Sequence, residues 1–280
     1  MSTPYVRVTG DPGEFKQTVF PFLQRDPVLN TALLSNVEGR VDGLMYDPAP
    51  PVFVSVHRDE EVIGAVVCTA LRGVMLGDLA VELIPAVLAA VLDSSADPVL
   101  VDGTPAVAGA FADQLAAELG RDLTEDRRTR LHELGDFVPL EAPGEARPAT
   151  MDDLADAARM IGGFGADMGG RLGVEEEERW ARGRIGHGQV WLWQHDGRAV
   201  SMAGHHGDVF GADRIGPVYT PPAERGRGYA GALTAHLSRH LRANGSRVCL
   251  FTDLANPTSN KIYARIGYRP VTDFVRYRLS

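Results

Sequence analysis

The chain has 280 residues, a length that fits one large domain or two of ordinary size. Its 44% hydrophobic and 23% charged residues are typical of a globular protein and exclude wholesale disorder. The formal net charge of −9 is concentrated in residues 1–140, which carry 10 basic and 21 acidic side chains, and such an acidic half makes a poor nucleic-acid surface.

The first half contains a hairpin pattern followed by a helix and a strand. Residues 52–56 (VFVSV) form an apolar run, which the polar turn Arg58–Glu61 separates from a second apolar run, and this pattern predicts two paired strands. Further along, Asp102 and Pro105 predict the start of a helix, and the arginine-rich residues Arg128–Leu131 predict a strand after it.

The second half repeats this order of elements. Residues 190–193 (VWLW) precede a polar turn and another strand, and Pro257 begins a helix before the arginine-rich strand Arg276–Leu279. The two helix-starting prolines are 152 residues apart, and the first arginines of the two strands are 148 apart. These similar spacings favour a duplicated domain over the alternative, a chance alignment.

We therefore expect two domains, residues 1–140 and residues 141–280, joined at Glu141–Pro148, a segment with two prolines and a glycine. In the second domain the apolar patterns predict helices at 152–161, 174–185 and 229–243, and strands at 146–149, 189–195, 198–206, 213–220 and 248–252. Asn256 before Pro257 has the residue types of a helix N-cap followed by the first helical residue, and Gly267 predicts the end of that helix.

A loop rich in arginine and glycine lies between the predicted strand at 213–220 and the helix at 229–243. Gly226 and Gly228 permit positive φ and a close approach of the backbone to a ligand. The amides of this loop and the helix N-terminus behind them predict a phosphate or pyrophosphate site, to which Arg225 and Arg227 add positive charge. The alternative is a tight surface turn with solvated arginines, but two arginines alternating with two glycines at a helix start count against it.

The same loop has the spacing G-x-G-x-x-G, which is also the fingerprint of a dinucleotide-binding site, with Asp253 about twenty residues further on. Three features count against that interpretation. Four residues separate the strand from Arg225, Arg227 lies where the backbone would have to approach the pyrophosphate, and only 27 residues follow Asp253. An NAD(P)-dependent oxidoreductase is therefore the alternative enzyme class.

Two segments of the second half resemble the GNAT superfamily of acyl-CoA-dependent N-acetyltransferases. Arg225–Ala230 (RGRGYA) is similar to the motif Q/R-x-x-G-x-G/A, and Asn256–Tyr268 (NPTSNKIYARIGY) is similar to N-x-x-(S/A)-x-x-x-Y-x-x-x-G-(F/Y). The resemblance covers about residues 146–280, with the separation and element order of that family. With the duplication, it implies an α/β fold of two GNAT-like domains in tandem, each with a mixed, mostly antiparallel sheet flanked by helices.

The resemblance also implies roles for residues at matching positions. The strand residues Pro217, Val218, Tyr219 and Thr220 would offer their backbone to the pantetheine arm of acetyl-CoA, the cosubstrate, and the amide near Val218 would stabilise the oxyanion. The pyrophosphate would lie against Arg225, Gly226, Arg227, Gly228, Tyr229 and Ala230. Asn256, Ser259 and Asn260 would contact the pantetheine.

Tyr263 would give its proton to the departing CoA thiolate as a general acid, by the same resemblance. The alternative is a core residue on an amphipathic helix, but Asn256 and Gly267 stand at the family spacing on either side of it. The resemblance therefore favours the catalytic role.

The general base is left open by the sequence, with Asp208, Asp253, His205, His206 or a water chain as alternatives. Because His205 and His206 are adjacent on a predicted strand, their side chains face opposite ways and at most one lines a cleft. Asp253 has the alternative role of capping the next turn. His236 and His240 are four apart on a helix, but no third ligand is evident, so we expect no metal site.

The first half has the duplicated pattern without the phosphate-binding residues. Its corresponding loop, Gly77–Glu82 (GDLAVE), has no arginine and places Asp78 and Glu82 where a pyrophosphate would lie. The proline alignment places Phe111 opposite Tyr263, so the acidic hydroxyl is missing as well. We expect a degenerate, non-catalytic domain, whose acidity either attracts a cationic amine or only aids solubility.

The expected function is therefore transfer of an acetyl group from acetyl-CoA to a primary amine, on a small molecule or a peptide, by direct attack. A non-enzymatic acyl-CoA sensor is the alternative outside enzymes. Two cysteines in opposite halves indicate a reducing compartment, and no signal peptide or membrane-spanning run is evident. We expect a cytoplasmic monomer or homodimer without nucleic-acid or membrane partners.

Overall fold

The computed structural model describes residues 2–94, 96–170 and 173–280, which form two compact units. Unit 1 consists of the residues up to Leu131, Asp253–Ala255 and Val271–Ser280. Unit 2 consists of His132–Thr252 and Asn256–Pro270. Neither unit is continuous along the chain, because unit 1 includes the last ten residues.

Within its described residues, unit 1 contains four α-helices and seven strands, of which β6 (Leu123–Leu134) and β12 (Tyr268–Leu279) extend into unit 2. The helices are α1 (Pro12–Leu23), α2 (Thr31–Val41), α3 (Ile84–Asp93) and α4 (Pro105–Leu119). The strands are β1 (Tyr5–Thr9), β2 (Val52–Arg58), β3 (Glu61–Thr69), β4 (Gly73–Leu79), β5 (Leu100–Gly103), β6 (Leu123–Leu134) and β12 (Tyr268–Leu279). They lie in the order β1-β2-β3-β4-β5-β12-β6, with β4 and β5 parallel and the pairs β1–β2, β2–β3, β3–β4 and β5–β12 antiparallel.

Strand β12 is an integral part of unit 1. Val275 and Leu279 are 1% and 3% exposed and pack in one core cluster with Phe111 of α4. On the other side of the strand, Arg276 lies opposite Asp102 in the β5–β12 register and is hydrogen-bonded to it. The sheet of unit 1 is thus completed by a strand from the far end of the sequence.

Unit 2 contains the remaining elements. Its helices are α5 (Leu154–Asp167), α6 (Val174–Gly186), α7 (Tyr229–Ala243) and α8 (Pro257–Ile266). Its strands are β7 (Glu145–Pro148), β8 (Val190–His195), β9 (Arg198–His205), β10 (Ala212–Tyr219) and β11 (Arg247–Asp253), in the order β11-β10-β9-β8-β7. Strands β10 and β11 are parallel, and the pairs β7–β8, β8–β9 and β9–β10 are antiparallel. One parallel pair among antiparallel ones is not the doubly wound sheet that a dinucleotide-binding domain requires.

The predicted ends of α8 are confirmed. Asn256 accepts hydrogen bonds from the backbone N–H groups of Thr258 and Ser259, at 3.2 and 3.1 Å, as an N-cap does. Gly267 ends the helix with φ +108°, and a Cβ atom there would lie 1.9 Å from the carbonyl oxygen of Asp136. Only glycine satisfies both the left-handed backbone and this close approach.

The linker predicted over Glu141–Pro148 extends only to residue 144, and the short strand predicted at 146–149 is confirmed with a shift of one residue. Residues Glu145–Pro148 form β7, which pairs antiparallel with β8. The α/β fold class is confirmed, with two units that each have a mixed, mostly antiparallel sheet and flanking helices. The division into domains at residues 140 and 141 stays a prediction. Within the described ranges, no helix combines the length and hydropathy of a membrane span.

Candidate functional site

The parallel strands β10 and β11 of unit 2 separate part of the way along. Their register runs from Ala212 opposite Arg247 to Ile215 opposite Leu250, whereas β10 continues to Tyr219. On its other edge β10 stays paired with β9 up to Tyr219, with an irregularity between Ile215 and Val218 around the cis Gly216–Pro217 peptide. The edge of residues 217–219 that faces away from β9 is therefore available for a ligand that forms backbone hydrogen bonds.

The arginine–glycine loop lies directly after this separated strand end. Gly226 and Gly228 have φ values of +79° and +85°, so both use the left-handed conformation that glycine permits. A Cβ atom at Gly226 would meet nothing within 4 Å, so the backbone there is open to a ligand. Helix α7 begins at Tyr229, and the N–H groups of its first turn lack intrahelical acceptors, which is the arrangement that binds phosphate groups.

The two arginines of the loop are held by neighbouring groups. Arg225 donates from Nε to the carbonyl oxygen of Thr220 at 2.9 Å and pairs through Nη2 with Asp167 at 2.5 Å. Arg227 pairs with Glu224 at 3.1 Å. Both side chains are about half exposed, so their positive charge stays accessible to an anion approaching the loop.

Tyr263 lies on α8 and borders the same core cluster as Val218 of β10. Its ring stands edge-on to that of Tyr268, with 6.1 Å between the centroids. Burial raises the pKa of Tyr263 to about 12. The nearby Thr234 hydroxyl lowers this pKa, but its effect is smaller than that of burial. The phenol therefore keeps its proton at neutral pH, as a proton donor must.

The polar residues at the start of α8 stabilise its first turn. Asn256 Oδ1 is the N-cap acceptor, and the side chains of Ser259 and Asn260 donate to the Asn256 carbonyl oxygen at 3.1 and 2.8 Å. The predicted contacts of these three side chains with pantetheine stay a prediction. Because Asn256 Oδ1 already accepts two hydrogen bonds, a ligand of this side chain would be bound by its Nδ2 amide as a donor.

The candidates for the general base lie in different places. Asp208 accepts hydrogen bonds from Gly211 N–H at 2.8 Å and Ser246 Oγ at 2.6 Å, at the beginning of β10. At about 3.3 Å per residue, that end lies on the order of 20 Å from Val218. Asp253 ends β11, where it accepts from the Ala255 N–H at 2.8 Å.

The histidine candidates have structural contacts. His205 Nδ1 lies 2.8 Å from the carboxylate of Asp213, which is 2% exposed, and its Nε2 lies 3.3 Å from the Gly188 carbonyl oxygen. His206 donates its backbone N–H to the carbonyl oxygen of Arg214. Both ring nitrogens of His205 are thus already engaged in hydrogen bonds.

Two residues of α5 contact the arginine–glycine loop or the strand end before it, and the sequence analysis did not identify them. Asp167 at the end of α5 pairs with Arg225, and Gly163 of the same helix packs on Tyr219, since a Cβ atom there would lie 2.4 Å from the Tyr219 hydroxyl. The adjacent glycines Gly162 and Gly163 could have indicated this contact from the sequence. Glycine in a helix interior lowers stability, so a pair of glycines there indicates that another part of the chain packs closely against the helix.

The equivalent strand end in unit 1 has a different loop. Strands β4 and β5 pair at Val74–Val101 and Met75–Asp102, and β4 continues beyond this pairing to Leu79, still paired with β3. Residues 77–79 of the predicted loop Gly77–Glu82 therefore belong to the strand. A Cβ atom at Gly77 would lie 2.8 Å from the Ala65 carbonyl oxygen, so this glycine permits core packing and opens no cradle. The residue after the strand, Ala80, has φ −75°, without the left-handed glycines of the loop in unit 2.

Comparison with known proteins finds one family model, which matches the segment that contains both motifs. Residues 207–279, about a quarter of the chain, match the family model described as FR47-like protein. No curated protein matches the chain in sequence at a significant level.

Solved structures match over nearly the whole chain. A GNAT-family acetyltransferase from Colwellia psychrerythraea is 12% identical with a TM-score of 0.65, over 98% of this chain and 99% of that one. A GCN5-related N-acetyltransferase from Sphaerobacter thermophilus is 17% identical with a TM-score of 0.63, over 98% and 95%. A tandem GNAT protein of the clavulanic acid biosynthesis pathway is 14% identical with a TM-score of 0.59, over 98% of both chains. The chain therefore has the fold of these acetyltransferase structures over nearly its whole length, and its residues 207–279 match the FR47-like family model.

Proposed function

We propose that unit 2 transfers an acetyl group from acetyl-CoA to a primary amine of a small molecule or peptide. The observation that carries the proposal is the separated end of β10, which leads directly into a left-handed glycine loop at the N-terminus of α7. This arrangement offers backbone hydrogen bonds to the pantetheine amides and a row of N–H groups to the pyrophosphate. It fits acetyl-CoA as cosubstrate better than a ligand without phosphate groups.

In the proposed reaction the neutral amine attacks the thioester carbonyl carbon directly, without an acyl-enzyme. The N–H of Val218 stabilises the oxyanion that forms, and the C–S bond then breaks. Tyr263 gives its proton to the thiolate, which leaves as CoA. The products are an N-acetylated amine and free CoA, and Tyr263 is reprotonated from solvent.

The acceptor must lose a proton before or during attack. Of the two carboxylates predicted as bases, Asp253 lies at the carboxyl end of β11, the end where β10 and β11 separate, whereas Asp208 lies at the opposite end of β10. We therefore propose Asp253, directly or through water, as the group that accepts this proton.

Acetyl-CoA is expected to raise the melting temperature of the protein. A ligand that binds only the folded state stabilises it by about 2.7 kcal/mol at a hundredfold excess over Kd. Replacing both glycines of the loop (Gly226→Val and Gly228→Val) should abolish this shift, because β-branched residues disfavour the left-handed backbone on which the loop depends. Differential scanning fluorimetry with acetyl-CoA, longer acyl-CoAs and NADH measures it.

The matched control is Gly245→Val, at a glycine with φ +96° and no neighbouring atom within 4 Å of its Cβ position, beyond the far end of α7. That variant should lose stability and keep the acetyl-CoA shift. A shift with NADH and none with acetyl-CoA would contradict the proposal.

We expect one acetyl-CoA site per chain. At the end of β4, Asp78 is the penultimate residue of the strand and Glu82 lies three residues beyond its end. Residues 77–82 contain no arginine and no left-handed glycine, so unit 1 offers an anion little attraction at that place. Isothermal titration calorimetry with acetyl-CoA checks the stoichiometry, and two comparable sites per chain would show that the loop of unit 1 also binds CoA.

A further inference from the structure

Helix α7 contains a fully buried hydroxyl that the proposed reaction does not use. Thr234 is 0% exposed, and among the described residues its Oγ1 atom forms no hydrogen bond of normal geometry. A buried hydroxyl without a partner lowers the stability of a fold, so valine, which has nearly the same shape, would be the more stable residue at this position. Packing of the helix thus gives no reason for this hydroxyl.

The hydroxyl one turn further along the same helix has two hydrogen-bond partners. Ser238 Oγ donates to the carbonyl oxygen of Thr234 at 2.7 Å and lies 2.7 Å from the hydroxyl of Tyr268. Because residues four apart lie on the same face of a helix, Thr234 is on the same side of α7 as Ser238. That side of the helix is the one that packs against Tyr268.

Tyr263 of α8 lies beside this face of α7. Its ring stands edge-on to that of Tyr268, with 6.1 Å between the centroids. Three residues before Thr234, α8 also approaches α7 closely, since a Cβ atom at Gly231 would lie 3.3 Å from Cγ2 of Ile262. These two contacts lie on either side of Thr234 along α7. The phenol of Tyr263 is the polar group near the Thr234 hydroxyl.

The Thr234 hydroxyl acts on the charged form of the tyrosine. A neighbouring hydroxyl that donates to the phenolate lowers the pKa of Tyr263, against the larger effect of burial, which raises it. In the proposed reaction the phenol becomes a phenolate only when its proton moves to the CoA sulfur. The hydrogen bond from Thr234 is therefore stronger in the transition state than before the reaction, and an interaction of that kind raises kcat.

We propose that Thr234 is a positioning residue for the general acid, because its hydroxyl donates a hydrogen bond to the Tyr263 oxygen as the Tyr263 proton passes to the CoA thiolate. The proposal rests on the proposed acetyl transfer. The Tyr263 O–H bond breaks, the S–H bond of CoA forms, and the negative charge moves from sulfur to the phenolate oxygen. Thr234 keeps its own proton throughout, and solvent returns a proton to Tyr263.

Thr234→Val should lower kcat about tenfold and leave the KM and the calorimetric affinity for acetyl-CoA unchanged. The substitution removes a hydrogen bond to a charged oxygen and keeps the shape of the side chain. Thr234→Ser keeps the hydroxyl and should restore most of the rate. Ser238→Ala is the matched control one turn further along α7, and it should lose stability while kcat stays at the parent value.

Melting temperatures separate this role from a purely structural one. Because Thr234 Oγ1 has no partner of normal geometry in the part of the chain that the structure describes, Thr234→Val should melt at the parent temperature or above it. A lower melting temperature with the parent kcat would overturn the proposal, and so would a loss of kcat that Thr234→Ser does not restore.

The Tyr263→Phe background tests whether Thr234 acts through the tyrosine. Adding Thr234→Val there should cause no further loss of rate, since phenylalanine has no oxygen to accept the hydrogen bond. A further tenfold loss would overturn the proposal. Full kcat in Tyr263→Phe alone refutes the general acid of the proposed function, whereas a loss in that variant with full kcat in Thr234→Val overturns only the role of Thr234.

A titration without an acceptor amine gives an independent readout. In protein labelled with 3-fluorotyrosine, the fluorine NMR signal that disappears in Tyr263→Phe reports the ionisation of this ring. Thr234→Val should raise the pH of its midpoint, because the phenolate loses a donor, and Thr234→Ser should return the midpoint to the parent value. An unchanged midpoint in Thr234→Val overturns the proposal whether or not the protein transfers an acetyl group.

Discussion

The variant Tyr263→Phe should lower kcat by about 10²-fold while acetyl-CoA affinity barely changes. The substitution keeps the ring that borders the core cluster and removes the proton donor. General acid catalysis typically contributes about 10²–10⁴-fold, and a thiolate is a fair leaving group by itself, which favours the low end. Steady-state kinetics with any accepted amine, together with calorimetric titration of acetyl-CoA, measures the two effects separately.

The matched control is Tyr268→Phe, in the ring that stands edge-on to Tyr263. Its hydroxyl lies 2.7 Å from Ser238 Oγ in the core, so its removal should reduce stability and leave kcat unchanged. Full kcat in Tyr263→Phe would show that water protonates the thiolate. Because the pKa of Tyr263 is about 12, its ionisation should not reduce the rate below about pH 11.

Removal of residues Val271–Ser280 should unfold unit 1. The deletion takes Val275 and Leu279 out of the core, exposes the facing sides of β5 and β6, and breaks the Arg276–Asp102 pair. Burial of the two side chains alone is worth about 3–6 kcal/mol, a large part of the roughly 5–15 kcal/mol by which domains are stable. Near-ultraviolet circular dichroism and limited proteolysis should both show the loss.

Point variants separate the packing of this strand from the effect of a shortened chain. Leu279→Ala should cost about 2–5 kcal/mol in urea unfolding, because a fully buried leucine leaves a cavity. Val271→Ala, at a side chain that is 43% exposed on the same strand, should cost much less. Equal effects of the two substitutions would contradict the assignment of β12 to the core of unit 1.

Features fixed by neighbouring residues were predictable from the sequence. The N-cap at Asn256 and the helix end at Gly267 follow from local hydrogen bonding and from the conformational freedom of glycine. The left-handed backbone at Gly226 and Gly228 is a local feature for the same reason. The separation of the two motifs, Arg225–Ala230 and Asn256–Tyr268, then supported the correct fold class.

Features that depend on distant pairing were not predictable in this way. An apolar and arginine-rich pattern at Arg276–Leu279 indicates a strand, but nothing in it specifies β5 as the neighbour. Likewise Asp208 precedes β10 by only a few residues, yet the strand direction places it at the end away from Val218. Asp167 precedes Arg225 by 58 residues in the sequence, and only the folded chain brings the two side chains together.

Because β12 comes from the end of the sequence, the order of synthesis determines when the sheet of unit 1 can be completed. Residues up to Leu131 leave the ribosome first, but the gap between β5 and β6 can be filled only when residues 271–279 have emerged. Unlike a usual N-terminal domain, which folds as a unit during translation, unit 1 must wait for the whole of unit 2 to be made. During that interval the facing edges of β5 and β6 lack their partner strand, and such unpaired edges can pair with other molecules.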